Sequence, residues 1–170
     1  MEASGVGGDL FGNMIADKDR MILNALLDEL TDFVRENDQE RCFPKKAWTR
    51  ESTRNVIHYH LNNGTLLIVR SDDVVVGLAT WFRWRKDEVP SLSPEEIFQN
   101  PPPFRADGEI IYLSDVVATE AGAFNAMMKA FAKKNPDYAD LELWGSRLSK
   151  KTGVTRPVKY TRRLVDLGRK

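Results

Sequence analysis

The sequence predicts an α+β protein with a mixed, mostly antiparallel sheet flanked by helices. Three observations lead to this fold class. Two segments with helical periodicity come first, a hairpin of alternating residues follows, and the second half of the chain holds a strand–helix–strand unit. Hairpins join antiparallel strands, whereas a helix between two strands favours a parallel pair, so both kinds of pairing are expected.

Two amphipathic helices are predicted in the first third of the chain. Apolar residues recur at helical spacing over residues 19–37, and Asp17 and Asp19 are placed to cap that helix. A second helix is predicted over residues 50–62, with Thr49 as its N-cap. Residues 1–18 begin with small, glycine-rich residues, so we expect a flexible N-terminal arm followed by a single domain over residues 19–170.

A β-hairpin is predicted next, with strands over residues 65–70 and 74–84 and a turn at Ser71-Asp72-Asp73. Gly77 inside the second strand predicts a bulge or a close approach of another segment. A long proline-containing loop follows, with one helical turn predicted at residues 94–100. A last extended stretch is predicted at residues 158–165.

The strand–helix–strand unit is the most informative part of the sequence. Residues 109–118 are rich in β-branched and aromatic residues, residues 119–122 form a polar turn, and residues 123–134 have an apolar helix face. The next strand is predicted at residues 141–144. A strand that leads directly into a helix leaves the first N–H groups of that helix without partners, so this turn is a candidate anion site.

Charge and cysteine content exclude several classes of protein. Basic and acidic residues number 25 each, which argues against a dedicated nucleic-acid or membrane-surface protein. The single cysteine, Cys42, excludes an internal disulfide and a cysteine-rich metal site, and it fits a reducing compartment. No apolar run reaches membrane-spanning length, and no signal peptide is apparent.

The C-terminal tail over residues 150–170 carries eight basic residues and one acidic residue, a net charge of +7. Two interpretations stay open. The tail binds an anion, a phosphate group or an acidic partner, or it forms a solvated face beside the acidic surface of the same fold.

Two motifs carry a resemblance to a known family. The hairpin segment Asp73-Val-Val-Val-Gly-Leu-Ala79 and the segment Leu113-Ser-Asp-Val-Val-Ala-Thr-Glu-Ala-Gly122 resemble the GNAT acetyltransferase superfamily, over about residues 19–165. The chain also resembles the short GNAT-like proteins of tailed phages. The resemblance implies a GNAT-like sheet that splays beside Val116 and Val117.

The resemblance also implies a site for acetyl-coenzyme A. The family's phosphate turn reads Gln/Arg-x-x-Gly-x-Gly/Ala, and its backbone N–H groups hold the pyrophosphate. In this chain Gly122 matches, Thr119 replaces the basic or amide residue, and Phe124 replaces the small one. Glu120 adds a negative charge that opposes diphosphate binding. The expected cofactor-binding residues are Val116, Val117, Thr119, Gly122, Ala123 and Phe124.

Three residues are candidates for proton transfer in such a reaction. Asp115 precedes the turn and is a candidate base, or it pairs with Arg83 or Arg85 across the sheet. Glu109 is a second candidate base, or an exposed residue at the edge of the strand. Tyr160 is a candidate acid for the leaving thiolate, or a half-buried tyrosine on a strand.

No metal site and no serine nucleophile are predicted. His58 and His60 lie two residues apart on a helix and therefore point in different directions. Ser146 lacks the Gly-x-Ser-x-Gly context of a nucleophile. Trp81 and Trp84 have opposite parity on one strand, so we expect them to pack on opposite faces rather than to stack on nucleic acid.

Two classes of function remain open. The first is an N-acyltransferase that moves an acetyl group from acetyl-coenzyme A to an amine on a small molecule or a protein. The second is a catalytically silent GNAT-like protein used for binding or assembly, such as a phage virion component. We expect no membrane partner, and a location in the cytoplasm or, for a phage protein, inside the virion.

Overall fold

The computed structural model describes residues 7–37, 49–88, 100, 102–138, 140–148, 152 and 155–160, with the backbone alone for residues 7–16, 146–148 and 155. The helices are α1 (Gly7–Asn37), α2 (Arg50–Asn62) and α3 (Ala123–Lys134), and a short 3₁₀ turn covers Pro136–Tyr138. The strands are β1 (Leu66–Ser71), β2 (Val74–Trp84), β3 (Ile110–Ala118), β4 (Glu142–Leu148) and β5 (Thr155–Lys159).

The five strands form one sheet in the order β1-β2-β3-β4-β5. Three of the four pairings are antiparallel. The fourth pair, β3 and β4, is parallel, and α3 connects these two strands along the chain. The predicted α+β class with a mixed, mostly antiparallel sheet is therefore confirmed. At the end of this sheet, β5 carries Pro157 opposite Ser146 of β4.

The helices cover the two faces of the sheet. On one face, α1 and α2 pack on side chains of β1, β2 and β3, and this cluster includes Leu27, Leu30, Ile57, Leu66, Leu78 and Val117. On the other face, α3 packs on the sheet through Met127, Met128 and Phe131. Trp81 packs with Phe131 and Trp84 packs with Phe82, so the predicted opposite orientation of the two tryptophans is confirmed.

Helix α1 begins at Gly7, twelve residues before the predicted start, so Asp17 and Asp19 lie inside the helix and the prediction that they cap it is wrong. Side chains of α1 are described from residue 17 onward, and among them residues 17–22 are all exposed and Leu27 is the first buried one. Within these residues the apolar periodicity marks the buried part of the helix rather than its start. The flexibility of residues 1–18 stays a prediction.

The second helix and the hairpin agree with the sequence. The Thr49 side chain accepts a hydrogen bond from the Ser52 N–H at 3.1 Å, as an N-cap does. Asp72 and Asp73 have φ values of 48° and 65°, which suit the right-handed twist of a tight hairpin. The ladder between β1 and β2 shifts beside Gly77, and Met127 packs against that glycine, so both expectations for Gly77 are met.

Some predictions fall outside the described residues. They are the helical turn within residues 94–100, the end of the last strand beyond residue 160, and most of the basic tail. Among the residues that are described, no helix is long and apolar enough to cross a bilayer.

Candidate functional site

The sheet opens between β3 and β4 in the second half of β3. The parallel ladder joins Ile110–Leu113 to residues 142–145 and ends at the pair Leu113 and Gly145, although both strands continue. In the part of the chain that the structure describes, β4 then pairs only with β5. The expected splay beside Val116 and Val117 is therefore present.

A β-bulge lies at the start of this opening. Ala79 faces Val116 and Trp81 faces Leu113, so the single residue Thr80 of β2 lies opposite both Ser114 and Asp115. Such a bulge bends its strand and interrupts regular pairing. The bulge thus lies where β3 leaves β4.

Asp115 is held at the bulge by hydroxyl groups. Its backbone N–H donates to Thr80 Oγ1 at 3.1 Å, and its Oδ2 accepts from Thr80 Oγ1 at 3.3 Å and from Ser114 Oγ at 3.4 Å. Because Thr80 shares the face of Leu78, the carboxylate lies on the side of the sheet that α1 and α2 cover.

The alternative pairing of Asp115 with Arg83 or Arg85 does not match the register. Arg83 faces Ile111, four residues from Asp115 and roughly 13 Å along the strand. Arg83 instead donates to the Gly108 carbonyl at 3.0 Å and contacts Asp137 at 3.5 Å. Arg85 contacts Asp107 at 3.4 Å.

The backbone of β3 beyond the bulge points into the opening. Thr119 N–H donates to the Val76 carbonyl at 3.0 Å, which sets the alternation of the ladder with β2. By that alternation, the N–H and C=O groups of Val116 and Ala118 point away from β2, toward the β4 side. The side chain of Val117 is buried against α1. The opening is therefore lined by the backbone groups of Val116 and Ala118 and not by Val117.

The turn that follows β3 ends at the N-terminus of α3. Gly122 is the N-cap residue with φ 88°, and no side chain among the described residues caps this helix. Ala123 N–H donates to the Glu120 carbonyl at 3.1 Å, and the next helical bond runs from Ala126 to Gly122. The N–H groups of Phe124 and Asn125 therefore lack intrahelical partners and point out of the helix end.

The side chains around this turn are exposed. Thr119 Oγ1 donates to the Val76 carbonyl at 3.3 Å, which ties the turn to β2. Glu120 is exposed beside the helix N-terminus, and the Phe124 ring is 45% exposed. The helix end thus presents two N–H groups, one carboxylate and one aromatic ring to solvent.

Tyr160 lies at the other margin of the opening. Its N–H donates to the Leu143 carbonyl at 2.8 Å, and its ring covers Gly145, where an added Cβ would be 2.8 Å from Cε2. Since Leu143 packs on the α3 side, the Tyr160 ring lies on the face opposite to Asp115. The two residues thus flank the opening from opposite faces.

Glu109 lies far from these residues. It precedes β3, six residues before Asp115 and roughly 20 Å along the strand. Its carboxylate accepts from the Lys86 N–H at 3.3 Å. The neighbouring Glu142 contacts both Lys159 and Lys86 at 2.8 Å, and hydrogen bonds from these lysines lower the pKa of Glu142 to about 2.

Three residues of this site were not anticipated. Thr80 had a signal in the sequence, because it is a polar residue within an apolar strand. Gly145 had a weaker one, as a glycine directly after the strand predicted at residues 141–144. Asn125 is recognisable only once the start of α3 is known, since its contribution is a backbone N–H.

The fold is shared with a protein of known structure. The loading GNATL domain of CurA from Lyngbya majuscula matches with a TM-score of 0.50 at 12% identity, over 65% of this chain and 57% of that chain. The fold is GNAT-like. This chain thus spans little more than half the length of the solved chain, and neither a family model nor a curated protein matches it.

The described residues hold no cluster of three or more metal-binding side chains. His60 is buried and contacts Thr65 Oγ1 through Nδ1 at 2.9 Å, whereas His58 is partly exposed on the same helix. The opening itself presents backbone amide groups, the carboxylates of Asp115 and Glu120, and the phenol of Tyr160.

Proposed function

We propose that this chain binds an acyl-coenzyme A at the opening between β3 and β4 and transfers the acyl group to an amine. The observation that carries the proposal is the early end of the β3–β4 ladder, at Leu113 and Gly145, in the strand that leads into the N-terminus of α3. The GNAT-like fold supports the same reading, and acetyl-coenzyme A is the expected cofactor.

The residues present fit such a cofactor. The N–H groups of Phe124 and Asn125 suit a phosphate group, because a helix N-terminus favours an anion. Gly122 adds no side chain between this helix end and a ligand, and nothing lies within 4 Å of its hypothetical Cβ. Toward the opening, Val116 and Ala118 offer a strand edge that can pair with an extended amide-containing chain. When bound, the cofactor supplies an acyl group activated as a thioester.

Two side chains flank that position and suit proton transfer. Asp115 accepts a proton from the amine on the face covered by α1 and α2, and Tyr160 donates a proton to the leaving thiolate on the α3 face. Their opposite placement keeps base and acid apart. Glu109 has no part in this proposal, because it lies at the far end of β3.

One observation favours the second function, a catalytically silent binding or assembly protein. Glu120 and Phe124 are exposed at the helix end, where Glu120 brings a negative charge close to the expected phosphate position and Phe124 replaces the family's small residue. A carboxylate near a helix N-terminus itself satisfies the positive end of the helix dipole. In that case the acyl-coenzyme A would be excluded, and a protein partner, including a phage virion or an acidic partner of the basic tail, becomes the alternative.

Thermal unfolding with acetyl-coenzyme A separates the two functions. A ligand at one hundred times its Kd adds about 2.7 kcal/mol to the free energy of unfolding. We expect millimolar acetyl-coenzyme A to raise the melting temperature clearly, and Gly122→Val to weaken binding at least tenfold by blocking close backbone approach. Gly64→Val is the matched control, because Gly64 also has positive φ and no atom within 4 Å. No shift in the native protein would contradict the proposal.

Removing the Glu120 charge tests the excluded-cofactor alternative directly. Glu120→Gln is expected to tighten acetyl-coenzyme A binding roughly fivefold, since a like charge near the phosphates opposes binding by about 1 kcal/mol. The exposed Glu51 of α2 provides Glu51→Gln as a control of equal net charge. Calorimetric titration measures both. Equal affinity in the native protein and in Glu120→Gln would remove Glu120 as an obstacle.

A further inference from the structure

Thr80 is a buried polar residue in the middle of an apolar strand. It is 1% exposed and lies between Ala79 and Trp81 of β2. A buried hydroxyl group destabilises a core unless it is hydrogen-bonded. The Thr80 hydroxyl accepts a hydrogen bond from the backbone N–H of Asp115 and donates one to the carboxylate of the same residue.

The bulge explains why both bonds go to Asp115. An extra residue in β3 leaves one backbone N–H without the carbonyl that a regular ladder would supply. Thr80 Oγ1 accepts that N–H, and the same hydroxyl donates its proton to the Asp115 carboxylate. Ser114 adds a second donor to the same carboxylate oxygen. One side chain of β2 therefore fixes both the backbone and the carboxylate of Asp115.

We infer that Thr80 is a positioning residue, whose hydroxyl holds the β3 bulge and the Asp115 carboxylate in the orientation used for acyl transfer. This inference rests on the proposed function. Thr80 itself contacts neither the cofactor nor the amine, because it is buried on the sheet face that α1 and α2 cover. Its contribution is to prevent Asp115 from rotating away and β3 from closing onto a regular ladder.

Three variants separate the hydroxyl from the shape of the side chain. Thr80→Val keeps the shape and removes the hydroxyl, whereas Thr80→Ser keeps the hydroxyl and removes a methyl group. Thr31→Val is the matched control, because Thr31 is fully buried in α1 and its hydroxyl donates to the Leu27 carbonyl, away from the opening.

Two measurements are expected to move together. In Thr80→Val, the amide hydrogen of Asp115 should exchange at least tenfold faster, and kcat should fall at least tenfold while the KM for acetyl-coenzyme A stays within twofold. Thr80→Ser should keep both values within about threefold of the native protein. In Thr31→Val, the overall stability falls while exchange at Asp115 and kcat stay unchanged.

Other results of these measurements would contradict either the role of the Thr80 hydroxyl or the proposed function. Unchanged exchange and kcat in Thr80→Val, or equal losses in Thr80→Ser and Thr80→Val, would show that the hydroxyl does not position Asp115. If Thr80→Val does not fold, Thr80→Ala replaces it in both measurements. If the native protein neither binds acetyl-coenzyme A nor transfers its acyl group, the proposed function fails, and amide exchange alone decides whether Thr80 fixes the bulge.

Discussion

Replacing Gly108 with alanine is expected to lower the free energy of unfolding by about 3 kcal/mol. An added Cβ would lie 2.7 Å from the Trp84 carbonyl oxygen and 2.9 Å from two further backbone atoms of that residue. The contact is with backbone, which cannot rotate away as a side chain can. The carbonyl of Gly108 also accepts a hydrogen bond from the Arg83 guanidinium, so a displaced backbone would lose that hydrogen bond as well.

Urea unfolding measures this effect through the midpoint of the transition at unchanged slope. Gly64→Ala is the control, because Gly64 has φ +65° and no neighbouring atom, so it reports the cost of backbone conformation without a clash. That control should lose only about 1 kcal/mol. A loss at Gly108 no larger than the loss at Gly64 would mean that the backbone of β2 moves to accept the methyl group.

Acid is expected to destabilise the protein through His60. Its ring is buried against Phe82 and Tyr59, and burial lowers the pKa of His60 from 6.5 to about 4, partly opposed by a backbone contact with Trp81. Because the folded pKa lies below the unfolded pKa, folding favours the neutral ring. The resulting stability is complete above pH 6.5 and is lost as the pH falls toward 4. The loss between pH 7.5 and pH 4.5 should be about 2 to 3 kcal/mol.

The two histidines of the chain allow a matched comparison. Unfolding at both pH values should show a much smaller loss in His60→Gln, because no buried ring is left to protonate. His58→Gln, on the same helix but partly exposed, should keep the native pH dependence. If His60→Gln loses as much stability on acidification as the native protein, carboxylates rather than His60 govern the acid response.

The strand–helix–strand unit shows which structural features can be predicted from the sequence and which cannot. The bounds of α3 and the parallel pair around it follow from local periodicity and turn residues, which act over a few positions. The partner of Asp115 depends on register between distant strands, and the bulge shifts that register by one residue. The residues opposite Asp115 and the pairing of Arg83 therefore needed the structure. The early start of α1 has a related cause, since exposed residues such as those at 17–22 carry no burial pattern that would extend the predicted helix toward the N-terminus.

The candidate site likewise has some features that the sequence predicts and others that it does not. Gly122 and the start of α3 follow from sequence motifs, because glycine and helix periodicity are local signals. The opposite placement of Asp115 and Tyr160 does not, because it depends on which face each strand turns inward. The separation of Glu109 from Asp115 was readable in principle, since six residues of extended strand span about 20 Å.

Pro157 has a consequence for association between copies of the chain. Tyr160 N–H bonds to Leu143, so alternation places Pro157 among the residues of β5 whose backbone nitrogen points away from β4. The outward edge of β5 therefore lacks a donor at its centre, and the neighbouring outward position is the charged Lys159. A strand from another molecule that tried to extend the sheet would meet a missing hydrogen bond and a lysine, two features that suppress edge-to-edge aggregation.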